Sequence, residues 1–328
     1  DAENEPLNTE VYTVTVADGS VTQLTDRLGP DGSPAVSPDG RSIAYLGFDD
    51  RYQGYQVTRL YVMAADGGNA RVLTDEWDRS MGNPVWAADG RSIFVSFEDE
   101  GEIKIASVTL TKGTETLVDG GVSGLSLGRP YTSGSFSVAR NGSIAYTDGD
   151  AYRPADVGLA RPGREATRLT HLNLDLLEGK KLGQVTESWF NSSVDGRRIQ
   201  GWVMTPPDFD PGKRYPLILE IHGGPFAAYG PHFSAEDQLY AAAGYVVLYI
   251  NPRGEWQLCN PAGFLTGSDD ADTILASLET RPACLELGRS QGACLRDTDP
   301  DEVVPVDLVF SAMTGKVACD GVMQGLWQ

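Results

Sequence analysis

The sequence is poor in histidine, cysteine and basic residues. Its 328 residues include three histidines, four cysteines and 26 lysines and arginines, against 46 aspartates and glutamates. The formal net charge of −20 disfavours nucleic acid and anionic membranes as partners, because both would repel this surface. The simplest role for so much negative charge is solubility.

Two further absences narrow the class of protein. No apolar run approaches the ~18 residues of a transmembrane helix, so we expect no membrane insertion. The cysteines lack Cys-x-x-Cys spacing, so we expect no zinc site, and no metal or organic cofactor is implied. Two disulfide bonds can form in an oxidising compartment, and the sequence leaves this open. The four cysteines are Cys259, Cys284, Cys294 and Cys319.

A repeat of roughly 50 residues runs through the first half of the chain. The stretches "SPAVSPDGRSIAYLGF", "NPVWAADGRSIFVSF" and "GSFSVARNGSIAYTD" begin at Ser33, Asn83 and Gly134. Each contains Asp-Gly or Asn-Gly between alternating apolar residues. This pattern predicts a hairpin with a tight two-residue turn, since these residues tolerate positive φ. A second repeated phrase, out of phase with the first, predicts the strand that ends each repeat; its leucines are Leu24, Leu73, Leu117 and Leu169.

Two interleaved repeats of this length predict a β-propeller with one blade per repeat. Three blades and part of a fourth fit before residue 175, whereas closed propellers have roughly four to eight. Either earlier blades are missing from this chain or the arc is open, and because open strand edges promote aggregation we expect a fragment. A β-sandwich with coincidental turns is the alternative.

A different pattern begins in the second half. A hairpin is predicted with its turn at 195–196, and two buried strands follow, "YPLILEI" from Tyr215 and "YVVLYI" from Tyr245. Between them, Ser234 is the predicted N-cap of a helix that Gly244 ends. This strand–helix–strand order predicts two parallel strands with a right-handed crossover.

The ordered combination of "SPDG" hairpins, "DGRRIQGW", "HGGP" and "NPRG" resembles the prolyl oligopeptidase family of serine peptidases, in particular its bacterial dipeptidyl-peptidase and acylaminoacyl-peptidase types. The resemblance extends over residues 10–254. It implies a partial β-propeller of about three to four blades at 1–175, the start of an α/β-hydrolase domain at 176–254, and a divergent tail at 255–328.

The resemblance also implies a substrate class and a location. Family members restrict entry to short peptides, so short peptides are the expected substrates or ligands. Together with the start at Asp1, which suggests a processed form or a fragment, family habit leads us to expect a periplasmic or secreted protein. The oligomeric state stays open.

The matching motifs assign candidate site residues. In the family, "HGGP" lies beside an oxyanion hole, where backbone N–H groups stabilise the tetrahedral intermediate of acyl transfer. The alternative is a tight glycine turn with a merely packed histidine. Tyr229 and Phe226 either line the substrate side or pack in the core. The oxyanion-loop candidates are His222, Gly223, Gly224 and Pro225, and the candidates for the scaffold near the cleft are Asn251, Arg253 and Gly254.

The nucleophile is harder to assign. One Gly-x-Ser-x-Gly match, at 124–128, has no helix after it and is interpreted as a chance match. The other, at 288–292, makes Ser290 the candidate nucleophile. A serine needs a base, usually histidine, but no histidine follows His232, so the family order of nucleophile, acid and histidine cannot be met.

These residues give competing functional hypotheses. We expect a chain that resembles a serine-type peptidase but lacks a complete Ser-Asp-His triad and is inactive by itself. The alternatives are a non-catalytic propeller–hydrolase remnant that binds peptide or a partner, and a purely structural propeller. The tail after Gly254 is a shifted or spliced end, a diverged domain, or half of a site that a partner completes.

Overall fold

The computed structural model describes residues 7–52, 55–192, 196, 198–222 and 227–251, and beyond these the backbone of five short strands. The chain divides into two compact units, each drawn from several stretches of sequence. The first unit comprises residues 1–125, 132–150 and 154–172. The second comprises residues 126–131, 151–153 and 173–328.

Antiparallel strands form the sheets of the first unit. A hairpin of β1 (Tyr12–Val14) and β2 (Val21–Gln23) comes first. A four-stranded sheet follows in chain order, with β3 (Asp31–Val36), β4 (Ser42–Gly47), β5 (Arg59–Ala64) and β6 (Arg71–Val72). The remaining strands share one eight-stranded sheet: β7 (Met81–Trp86), β8 (Ser92–Asp99), β9 (Glu102–Thr109), β10 (Thr114–Val122), β11 (Phe136–Val138), β12 (Ile144–Asp150), β13 (Arg153–Arg161) and β14 (Arg164–Arg168).

The three predicted repeat hairpins are confirmed, but their turns are longer than predicted. Residues 37–41, rather than two residues, connect β3 to β4. The side chain of Asp39 explains the wider turn, because its Oδ1 accepts hydrogen bonds from the Ser37 hydroxyl at 2.7 Å and the Arg41 N–H at 3.1 Å. Asp89 and Asn141 each accept the corresponding bond from the N–H two residues further on. The glycine of each turn has positive φ, at Gly40, Gly90 and Gly142.

The first two repeats also share a backbone irregularity. Ser33 and Asn83 have φ of 49° and 50°, although each precedes a proline. At both places the pairing with the next strand shifts register, as in a β-bulge. The repeat therefore encodes the bulge as well as the turn.

In three of the repeats, a threonine hydroxyl bonds to the neighbouring backbone at the end of the outer strand. Each hydroxyl oxygen accepts a hydrogen bond from a backbone N–H of the neighbouring strand or its extension, and so continues the ladder where the outer strand ends. The pairs, all at 2.9 Å, are Thr25 with Val11, Thr74 with Leu60 and Thr170 with Val157. This is the structural role of the second repeated phrase in three of its four copies.

Alternation along β8 builds two apolar cores. Ile93, Val95 and Phe97 belong to a cluster that also takes in β4, β5, β7 and β9, while Phe94 points to the opposite face and joins a cluster with Ile105. Side chains on a strand alternate between faces, so a strand with both faces buried needs an almost continuous apolar run. The stretch "SIFVSF" supplies it.

The second unit contains a mixed sheet with the order β15-β16-β18-β17. Pairing is antiparallel except between β17 and β18, which are parallel. Its elements are α1 (Leu174–Leu177), β15 (Gln184–Asn191), β16 (Arg198–Thr205), β17 (Leu217–Ile221), α2 (Ala235–Ala242) and β18 (Val246–Ile250).

The predicted hairpin, helix and parallel strands of this unit are confirmed, and the handedness of the crossover remains a prediction. β15 and β16 form the hairpin, and β17 runs through α2 to its parallel neighbour β18. Ser234 caps α2, since its Oγ accepts a hydrogen bond from the Asp237 N–H at 3.0 Å. Gly244 follows the helix with φ of 94°, a conformation that glycine adopts without strain.

Five short strands follow residue 251. They are β19 (Leu258–Cys259), β20 (Thr280–Arg281), β21 (Glu286–Leu287), β22 (Cys294–Arg296) and β23 (Val303–Pro305). β21 and β22, which precede and follow Ser290 in sequence, pair antiparallel. The residues between these two strands, Ser290 included, lie outside the described residues, so the predicted role of Ser290 remains a prediction.

The described sheets are open, and both the number of blades and the predicted domain boundaries remain predictions. Within the part of the chain that the structure describes, no helix is long and apolar enough to cross a membrane.

Candidate functional site

Two predicted site residues meet at one edge of the second unit's sheet. Ile221 and Ile250, the last residues of β17 and β18, are paired in register. His222 and Asn251 follow them directly, and His222 Nε2 lies 3.3 Å from Asn251 Oδ1. The carboxyl ends of parallel strands are the usual ligand-binding edge of an α/β sheet.

The Asn251 side chain also holds the backbone of Tyr229. Its Oδ1 accepts a hydrogen bond from the Tyr229 N–H at 2.7 Å, and its Nδ2 donates to the Tyr229 carbonyl at 3.1 Å. This pair of bonds fixes the orientation of the amide, because the reversed amide would place two donors face to face.

The same orientation determines a proton position on His222. Asn251 Oδ1 is an acceptor only, so the contact with His222 Nε2 is a hydrogen bond when Nε2 carries the proton. In the neutral imidazole, Nδ1 is then the nitrogen that can accept a proton.

Polar contacts continue from Asn251 into the neighbouring strands. The Asn251 N–H donates to the Gln200 carbonyl at 3.1 Å. Gln200 Nε2 donates in turn to Glu187 Oε1 at 2.8 Å, and Trp189 Nε1 donates to the same oxygen at 2.8 Å. The exposed Glu187 is thus linked to the site through Gln200 and Asn251.

Aromatic rings pack around the histidine. The rings of His222 and Tyr229 meet edge to face with centroids 4.9 Å apart, and Tyr131 stacks obliquely on Tyr229 at 4.8 Å. Tyr229 is fully buried in a cluster with Trp202 and Tyr249. Of the two alternatives for Tyr229, the structure supports core packing. Burial, and then the charge of Glu220, raises the pKa of the Tyr229 phenol.

The remaining predicted site residues lie outside the described residues. These are Gly223, Gly224, Pro225, Arg253, Gly254 and Ser290, together with Phe226. Their assigned roles remain predictions. Within the described part of the chain, no group of three or more histidine, cysteine, aspartate or glutamate side chains could hold a metal ion.

Sequence reasoning missed a charged cluster beside β17. Glu220 is buried and its Oε1 lies 2.9 Å from Arg129 Nε, while the buried Asp237 lies in the first turn of α2. The charged residue in the buried strand "LILEI" was a local signal for such a cluster, because a buried carboxylate needs a partner. Nothing in the sequence identified Arg129 as that partner.

Comparison with known proteins gives relatives and structural neighbours, although no protein-family model matches the chain. Over 240 residues the chain is 32% identical to the probable dipeptidyl-peptidase 5 of Arthroderma benhamiae, covering 69% of this chain and 31% of that protein. The dipeptidyl-peptidase 5 of Trichophyton equinum is also 32% identical over 240 residues, with the same coverage. The chain therefore spans about a third of the length of these relatives.

Solved structures share the fold over three quarters of the chain. An acylaminoacyl peptidase in complex with Z-Gly-Gly-Phe-chloromethyl ketone superposes with a TM-score of 0.61 at 23% identity, covering 75% of this chain and 35% of that one. The Pyrococcus horikoshii acylaminoacyl peptidase gives 0.60 at 24% identity, with 75% and 36% covered. Porphyromonas gingivalis dipeptidyl peptidase 4 gives 0.54 at 17% identity, with 75% and 35% covered.

Proposed function

Because the chain belongs, over the part that it spans, to the prolyl oligopeptidase family of serine peptidases, we propose that it carries part of a site for the hydrolysis of short peptides. The part proposed is the oxyanion side, built on the carboxyl ends of β17 and β18. The substrate class is supported by the names of the relatives and by the peptide-derived ligand of the structural neighbour.

The observation that carries this proposal is the His222–Asn251 contact of 3.3 Å. This contact joins the carboxyl ends of β17 and β18. In the sequence, the two glycines of "HGGP" directly follow His222. Backbone N–H groups of Gly223 and Gly224 would stabilise the negative charge of a tetrahedral intermediate, and loss of one such donor costs about 3–4 kcal/mol of transition-state stabilisation.

We propose further that this chain does not complete the hydrolysis by itself. Every histidine lies at or before His232, while the candidate nucleophile Ser290 lies far downstream. Peptide binding without catalysis is therefore the second candidate function.

A fluorophosphonate probe applied to the full chain tests both candidates. Labelling that S290A abolishes would overturn the non-catalytic proposal and make Ser290 the nucleophile. The matched control is S126A, which removes the serine of the other Gly-x-Ser-x-Gly match and is expected to change nothing. Absence of labelling in folded protein supports the non-catalytic proposal.

Peptide binding is measured separately, by calorimetry with a short peptide chloromethyl ketone and with the free peptide. Reversible binding without labelling supports the binding function. Absence of both binding and labelling contradicts the proposed site as a whole.

A further inference from the structure

Residues 126–131 pack against the start of helix α2. They belong to the second unit although most of their sequence neighbours belong to the first. The Leu127 carbonyl accepts a hydrogen bond from the Ala235 N–H at 2.8 Å. The Gly128 carbonyl accepts one from the Ser234 hydroxyl, also at 2.8 Å. Because the first N–H groups of a helix lack partners within the helix, these contacts attach the stretch firmly to α2.

An ion pair attaches the same stretch to β17. Arg129 Nε lies 2.9 Å from Glu220 Oε1, and the Glu220 side chain is 2% exposed. A carboxylate so deeply buried needs a cation close by. Glu220 lies two positions before His222 in the sequence. The stretch is therefore anchored next to the strand end that carries the candidate site.

The last residue of the stretch, Tyr131, contacts Tyr229 through both backbone and ring. The two residues form an isolated antiparallel bridge, and beside it the Gly230 N–H donates to the Pro130 carbonyl at 2.9 Å. The ring centroids of Tyr131 and Tyr229 are 4.8 Å apart, with the planes at 52°. Contacts to both the backbone and the ring restrict the rotamer of Tyr229, because packing holds a side chain in one orientation.

The rings of Tyr131 and Tyr229 also pack around the imidazole of the buried His222. The centroid of Tyr131 lies 6.1 Å from that of His222, and the centroid of Tyr229 lies 4.9 Å from it. Both distances are within the range of interacting aromatic pairs. On the polar side, Asn251 Oδ1 lies 3.3 Å from His222 Nε2. Tyr131 therefore packs against His222 directly and also supports a second ring that does so.

We propose that Tyr131 is a positioning residue for the candidate site. Its ring and its backbone bridge fix Tyr229, and the two phenol rings together hold the His222 imidazole with Nε2 towards Asn251. The inference rests on the proposed function, because the site that it serves is the oxyanion side of a peptide site. The glycines of "HGGP" continue directly from His222, and a displacement of about 1 Å in such a site can cost about 10²-fold in rate.

Ordinary core packing is the competing role for Tyr131, which is a partly buried neighbour of the cluster that contains Tyr229. The two roles have different consequences. Loss of a ring that only fills space lowers stability and leaves the orientation of His222 unchanged. Loss of a positioning ring changes the orientation of His222 as well.

Phe209 provides a matched control for this comparison. It is half-buried in the same unit, and its ring centroid lies 4.8 Å from that of Tyr215. It packs against the cluster of Val203 and Leu248, whose side chains alternate along their strands with those around Tyr229 and so lie on the opposite face of the sheet. Phe209→Ala therefore removes a comparable ring without touching the candidate site.

Nitrogen-15 NMR of the full chain without peptide tests the orientation of His222. The readout is which ring nitrogen carries the proton once the imidazole is neutral, with the signals assigned by comparison with His222→Gln. In the wild-type chain we expect the proton on Nε2, because Asn251 Oδ1 only accepts. Tyr131→Ala is expected to give a mixture of the two tautomers, whereas Tyr131→Phe, which keeps the ring, is expected to restore the wild-type pattern.

The control variant decides between positioning and simple packing. Phe209→Ala is expected to lower the midpoint of urea unfolding, as Tyr131→Ala does, and to leave the His222 tautomer unchanged. A wild-type tautomer in Tyr131→Ala overturns the proposal. The same mixture of tautomers in Phe209→Ala also overturns it, because the change would then follow from lost stability alone.

A second measurement uses the wild-type chain and does not depend on the folding of a variant. Nuclear Overhauser effects are expected between the ring hydrogens of Tyr131 and those of His222 and Tyr229, as their centroid distances require. Absence of the effect between Tyr131 and His222 overturns the proposal.

Calorimetry with the free short peptide separates this inference from the proposed function. Tyr131→Phe is expected to bind as the wild-type chain does, and Tyr131→Ala up to about tenfold more weakly, a difference of about 1.4 kcal/mol. Equal affinities of the wild-type chain and Tyr131→Ala overturn the positioning role. If the wild-type chain binds no peptide, the proposed function is contradicted, while the tautomer and the Overhauser effects still decide whether Tyr131 positions His222.

Discussion

Arg129 and Glu220 form an ion pair in which Nε and Oε1 are 2.9 Å apart, although the two residues come from distant parts of the sequence. Glu220 is buried and Arg129 is half-buried. A buried pair of this kind stabilises little by itself, but removing one partner leaves an uncompensated charge. The pair is therefore a sensitive point of the second unit.

Removal of the cation should destabilise the second unit strongly. We expect Arg129→Ala to lower the free energy of unfolding by about 3–5 kcal/mol, because Glu220 is left charged and buried. Urea denaturation measures the change. Lys181→Ala, which breaks an exposed ion pair with Asp208, is the control and should have little effect. Equal losses in the two variants would show that burial of Glu220 does not matter.

Truncation of Asn251 should loosen the edge that carries the candidate site. Asn251→Ala removes the partners of the Tyr229 N–H and carbonyl, and an unsatisfied buried polar group costs about 1–3 kcal/mol. Asn251→Asp keeps the acceptor for the Tyr229 N–H but places a second acceptor oxygen against the Tyr229 carbonyl, so it should also destabilise. Thermal unfolding measures both variants, and an unchanged stability in both would contradict the assigned bonds to Tyr229.

The hydroxyl of the buried Thr74 should contribute to stability. Thr74→Val removes the acceptor of the Leu60 N–H at a buried position, so we expect a loss of about 1–3 kcal/mol. Thr74→Ser keeps the hydroxyl and should lose less. Guanidinium denaturation distinguishes them. Equal losses of unfolding free energy in the valine and serine variants would show that the Thr74 hydroxyl does not stabilise the repeat.

Gly40 should tolerate asparagine better than alanine. Its φ of 72° is strained for a residue with a Cβ, although no atom would obstruct that Cβ, so Gly40→Ala should cost about 1 kcal/mol. Gly40→Asn should cost less, because asparagine adopts this conformation more readily. The control is Gly32→Ala in the same sheet, where there is neither a positive φ nor a nearby atom, and thermal unfolding should show little change there.

Local patterns predicted most of what the structure describes. The turn glycines, the Ser234 cap and the parallel strands before His222 and Asn251 each depend on a few neighbouring residues, so spacing and residue type were sufficient. The length of the turn at 37–41 was mispredicted, because Asp39 bonds to Ser37 and Arg41 as well as preceding a glycine.

Sequence patterns did not predict the contacts between residues that are distant along the chain. The His222–Asn251 contact could be anticipated only through family motifs, and the direction of the Asn251 amide depends on Tyr229. Arg129 joins residues 126–131 to Glu220 of β17 and to Glu236 of α2. No periodicity or spacing links those stretches, since their proximity arises from tertiary packing.

The contacts of residues 126–131 with α2 and β17 limit how this polypeptide can be divided. A piece excised to begin at residue 173 would keep helix α2 but lose the carbonyl groups of Leu127 and Gly128 and the guanidinium of Arg129. A single junction near residue 173 therefore cannot exchange either unit intact with a related protein. Recombination that replaces one unit must move residues 126–131 together with the distant sheet that they complete.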